Sequence, residues 1–135
     1  MKRTILSVIA ILLLTGYGMP ANEKTIANLK SAFKGESTAS AKYAAYAQQA
    51  RKEGLLSIAI MFTATSKSEA IHANNHKAVL QRLGQKVEQV KPEFTVKTTK
   101  ENLEDAIQGE TYEITTMYPG FLTTAKEELC RAISR

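Results

Sequence analysis

Cysteine is all but missing. Cys130 stands alone among 135 residues, which excludes an intramolecular disulfide and any CxxC-held centre of the rubredoxin type. A metal bound by this chain must therefore use oxygen and nitrogen donors. Tryptophan is absent, and three prolines and seven glycines leave long stretches free of breakers. Alanine and straight-chain residues fill those stretches and favour helix. A strong charge of one sign is missing too. The net charge of +5 comes from scattered lysines and arginines rather than a stripe, so nucleic acid is not an expected partner. With 44% apolar and 23% charged residues, the composition is that of a globular chain, and the length suits one all-α domain.

No apolar run is long enough to span a bilayer comfortably, which takes about 20 residues. The longest, Ile5 to Leu14, follows Lys2 and Arg3 and precedes Gly16 and Gly18, the three parts of a secretory signal. Residues 1–21 are expected to be that signal, cleaved near Gly18 or Ala21. Residues 22–135 are then the mature domain, periplasmic or extracellular. Leu14-Thr15-Gly16 begins like a lipoprotein signal, but Tyr17 stands where the cysteine is needed, so no lipid anchor is expected.

From Thr25 onward, Ile26, Leu29, Phe33, Glu36, Ser40, Tyr43, Ala47 and Ala50 recur at helical spacing. Gly54 supplies the left-handed stop. A second seam runs through Ile58, Phe62, Thr65, Glu69, His72, His76, Val79 and Leu83, ending at Gly84. Gln85 to Lys97 contains Pro92 and no helical period, and reads as the long crossover that a ferritin-like four-helix bundle needs between helices 2 and 3. Thr98 with Glu101 is a capping-box pattern. It opens a third helix with Leu103, Ala106, Glu110, Glu113 and Met117 inward. Pro119 and Gly120 are expected to break or kink the chain before a last, incomplete helix from Phe121.

The halves resemble each other. Ala32-Phe-Lys-Gly-Glu36 matches Ala106-Ile-Gln-Gly-Glu110 at an offset of 74, and a one-residue slip then aligns Tyr43 with Tyr118 and Ala50-Arg51 with Ala125-Lys126. This reads as a duplicated helical hairpin. The offset of 75 places the counterparts of Glu69 and His72 near positions 144 and 147, beyond Arg135. With that helix missing, Phe62, Leu103 and Met117 are expected to face solvent and the chain to form homo-oligomers.

Carboxylates on a bundle seam are costly to bury unless something compensates them. Glu36, Glu69, Glu110 and Glu113 come from three helices, and a cation accounts for them together. Glu69 and His72 form an i, i+3 pair, so one turn presents an oxygen and an imidazole nitrogen to the same ion. Such a donor set favours iron or manganese. Tyr43 and Tyr118 have two readings, packing residues tied to carboxylates or a redox or proton-delivery role. His76 also keeps two: a half-buried or surface histidine, or a substitute for a missing ligand.

Gly35-Glu36, Ala41-Lys42-Tyr43, Ala50 to Gly54, Glu69-Ala-Ile-His72, Gly109-Glu110-Thr-Tyr-Glu113 and Met117-Tyr118-Pro119 resemble the successive motifs of the rubrerythrin di-iron domain, from about Ile26 to Glu128. The resemblance implies a metal-ligand set of Glu36, Glu69, His72, Glu110 and Glu113, with Tyr43 and Tyr118 beside the cluster. It implies iron as cofactor, two ions in the family, and a non-haem oxidoreductase that reduces hydrogen peroxide in oxidative-stress defence. Electrons would come from an external donor such as a rubredoxin. The alternative is a ferritin-like metal-binding or structural protein with little turnover, because the family's second Glu-x-x-His helix is missing.

Overall fold

In the computed structural model, residues 23–134 are described, and the export segment expected at 1–21 lies outside them. Helix α1 spans Glu23–Lys52 and α2 spans Leu56–Arg82. Gly54 and Gly84 sit just past their ends at φ of +76° and +71°, where a side chain would be strained. Thr98 caps α3 (Thr99–Tyr112) with the full reciprocal capping box. The crossover ahead of it is pinned by Asn102, whose side chain bonds both the N–H and the C=O of Lys97. Among the described residues no helix is long and apolar enough to cross a membrane.

Pro119 does not break the chain, contrary to the sequence expectation. α3 passes into a π-helical turn, Glu113–Met117, and on into α4, Tyr118–Ile133. The turn widens backbone bonding by one residue, so that the N–H of Tyr118 donates to the C=O of Glu113. Pro119 falls in the first turn of α4, directly after the π turn, a position at which a helix tolerates proline. The stretch from Phe121 thus continues the rod begun by α3.

α1 is the shared wall. It packs along α2 on one side and against the α3–α4 rod on the other, while the backbones of α2 and the rod stay more than 8 Å apart. Two carboxylates, the exposed Glu53 and the buried Glu128, fasten the rod to α1. Glu53, just after α1, accepts the N–H of Thr99 at the start of α3. Glu128 on α4 accepts the N–H groups of Lys24 and Thr25 and the Thr25 hydroxyl at the start of α1. Each half therefore caps the other's first helix.

The core is small and aromatic: Tyr43, Tyr46, Ala47 and Phe62, with Ile58, Leu103 and Ala106 packed on it. Phe62 lies 5.8 Å from the Tyr43 ring and 5.4 Å from that of Tyr46. It is 1% exposed, not solvent-facing as the sequence reading had it, because Tyr43 and Tyr46 of α1 close over it in a cluster that Leu103 and Ala106 of α3 also pack against. The buried line of α2 also differs from its expected seam. Ala73 and Leu80 are buried while Val79 and Leu83 are exposed, since the face that meets α1 is the one that dries. Phe62→Ala should destabilise the fold by about 3–5 kcal/mol, read as a lower denaturant midpoint.

Candidate metal centre

Glu36 sits mid-helix on α1 and is 1% exposed. Its Oε1 accepts the hydroxyl of Tyr118 from α4, whereas Oε2 has no hydrogen-bond partner. One turn of α2 brings Glu69 and His72 beside it. His72 Nδ1 lies 2.9 Å from Glu69 Oε2 and 3.9 Å from Glu36 Oε2. One donor atom each from Glu36, Glu69 and His72 falls within 4.8 Å of the others. A buried carboxylate oxygen with no donor is costly, and the open valence points into a group of two carboxylates and an imidazole. These residues fit a metal ion, and the hard oxygen and nitrogen donors suit iron or manganese.

Glu110 and Glu113 approach from the rod and are half-buried. They do not join the close group of three. Glu110 Oε1 instead accepts the Tyr43 hydroxyl at 2.7 Å, the mirror of Tyr118 on Glu36. Both glutamates still act on the site through their charge. Burial first, then Glu36, Glu110 and Glu113, push the Glu69 carboxyl well above the usual range. Burial, then Glu36 and Glu110, push Glu113 from 4.5 up to about 7. Burial and the glutamate each one touches raise both tyrosines, Tyr43 by Glu110 and Tyr118 by Glu36. Their hydroxyls thus remain proton donors to the carboxylates.

Two features escaped the sequence reading. His76 is half-buried, as one of its two sequence readings had it, but its tie to Tyr118 was not foreseen: its Nε2 lies 3.1 Å from the Tyr118 hydroxyl and its ring stacks on that of Tyr118. Burial lowers its pKa, keeping the imidazole neutral. Beside Tyr43, a Lys42–Asp105 pair at 2.7 Å, with the Tyr46 hydroxyl on the same carboxylate, braces α1 against α3 one to two turns before Glu110. Spacing offered no signal for this brace, because Lys42 and Asp105 are ordinary surface residue types.

The rubrerythrin family model matches residues 27–135. Nigerythrin of Nitratidesulfovibrio vulgaris is 37% identical over 122 residues, covering 84% of this chain and 59% of its own length. Rubrerythrin of Porphyromonas gingivalis is 38% identical over 105 residues, covering 78% of this chain and 52% of its own length. A solved structure of nigerythrin in a partially reduced state superposes with a TM-score of 0.72 at 36% identity, over 80% of this chain and 54% of that one. The chain spans little more than half the length of these relatives. The helical architecture is that of the ferritin-like bundle. On a family match over most of its residues and on these identities, the chain belongs to the rubrerythrin family.

Proposed function

We propose that the cluster holds iron and that the protein serves as a non-haem di-iron oxidoreductase reducing hydrogen peroxide. The observation that carries this reading is the buried, unpartnered Oε2 of Glu36 between Glu69 and His72. Glu36, Glu69 and His72 would hold one ion, and Glu110 and Glu113 would supply the carboxylates for its neighbour, as the family resemblance implies. Iron, when bound, supplies the electrons, and reduction of peroxide to water takes two of them and two protons.

The chain's own residues do the rest. Tyr43 and Tyr118 orient Glu110 and Glu36 by donating to one oxygen of each, which leaves the other oxygen of each carboxylate for an ion. Glu113, near 7, can carry a proton at its carboxylate at neutral pH. The half-exposed His72 side chain leaves the cluster within reach of a small solute. Returning electrons would come from an external donor of the rubredoxin kind. The N-terminal signal pattern supports a place outside the cytoplasm. Exposed Ile60, Ile71, Ile107 and Ile114 support association of copies.

Glu69→Ala with His72→Ala should abolish ferrous binding and peroxide-driven oxidation, followed anaerobically by iron analysis and stopped-flow absorbance. Unchanged iron content in that variant rejects the site. Iron binding without oxidation by peroxide supports the metal-holding alternative instead.

The raised carboxyls of Glu69 and Glu113 give a second expectation. A folded-state pKa above the ordinary 4.5 contributes stability that is complete below that value and is lost as pH rises through the folded-state value, about 7 for Glu113. The melting temperature of the metal-free protein should therefore fall from about pH 5 through about pH 9, the upper end set by Glu69, which is pushed up to about 9. A ligand that binds only the folded state reverses this by mass action. Ferrous iron under anaerobic conditions should flatten or invert the slope, as read by thermal melting with and without metal.

A further inference from the structure

We infer that His76 is a metal ligand, holding with Glu36 Oε1 an ion that adjoins the one held by Glu36 Oε2, Glu69 and His72. This rests on the proposed reading of that cluster as a metal site. The chain contains two histidines, and both converge on Glu36, one at each oxygen. His72 Nδ1 is 3.9 Å from Oε2 and His76 Nε2 is 4.0 Å from Oε1. For metal bonds of about 2.1 Å, two donors on one ion stand roughly 3 to 4.2 Å apart, from adjacent to opposite positions. The His76–Glu36 separation lies inside that range.

The hydrogen bonds give the exchange that binding requires. The Tyr118 hydroxyl spends its proton on Glu36 Oε1, so the contact between Tyr118 and His76 Nε2 uses the proton on Nε2. Binding replaces that N–H bond with a bond to the ion, and the ring proton moves to Nδ1. Tyr118 keeps its proton, since Oε1 has a second lone pair for the metal. The ring is held in place by stacking on Tyr118 and is only 20% exposed in its side chain, so little ordering remains to be done when the ion arrives.

Zinc ion alone, added to nitrogen-15-labelled full chain, tests this through the ring-nitrogen spectrum, in which two imidazoles are assigned by single variants. Zinc should shift His76 Nε2 and His72 Nδ1 to metal-bound positions and move the His76 proton to Nδ1. His76→Gln should bind one ion fewer per chain than the natural sequence, keep the His72 shift, and keep its helical circular dichroism. A zinc shift confined to His72, or an unchanged stoichiometry in His76→Gln, overturns this inference and leaves the cluster reading standing. Zinc that moves neither ring overturns both.

Discussion

Burying the Glu36 carboxylate in the middle of α1 is the constraint around which the other helices are arranged. An ionised group taken out of water must be hydrogen-bonded, paired or coordinated. Here the first is supplied by Tyr118 from the rod, and the last is offered by Glu69 and His72 from α2. The α2 and rod backbones do not meet, so the space between them is spanned by side chains that refer back to α1. Aromatic packing of Tyr43, Tyr46 and Phe62 closes one end of that space. The polar cluster occupies the next turns.

The duplication seen in the sequence is realised as exchange between halves. Tyr43 donates to Glu110 while Tyr118 donates to Glu36. Glu53 caps α3 at Thr99 while Glu128 caps α1 at Thr25. Each interaction has its twin at the repeat offsets of 74 and 75. The slip between those offsets also has a physical site. Glu36 and Tyr43 are seven residues apart, two regular turns, whereas Glu110 and Tyr118 are eight apart. The π turn at Glu113–Met117 lies between the latter pair. It absorbs the extra residue, so that Tyr118 keeps the facing that an unbroken α-helix would have rotated away.

Much of this was legible in the residues because it rests on local rules. Gly54, Gly84, the Thr98–Glu101 box and the i, i+3 spacing of Glu69 and His72 each follow from backbone freedom or helical period. Pro119 misled because a proline in helical sequence ordinarily means a break, and the sequence does not show that the backbone ladder has already been shifted ahead of it. Phe62 misled differently. Its place on an inward face was read correctly, but which neighbour covers that face depends on packing that periodicity does not encode. The ties of His76 to Tyr118 and of Glu128 to Thr25 join residues 42 and 103 positions apart, a distance at which a single sequence gives only the repeat as a hint.

The π turn also begins at the residue that makes the two halves unequal. It carries Glu113, whose place in the first half, three residues after Glu36, is held by Ala39. The duplicated frame thus presents one carboxylate at this level from α1 and two from the rod, while both imidazoles come from α2. An ion nearer the rod would meet more negative charge at this level than one nearer α1, and so would hold a different redox potential. One difference of side chain, glutamate in place of alanine at equivalent positions of the repeat, is enough to make the two walls of the frame unlike in charge.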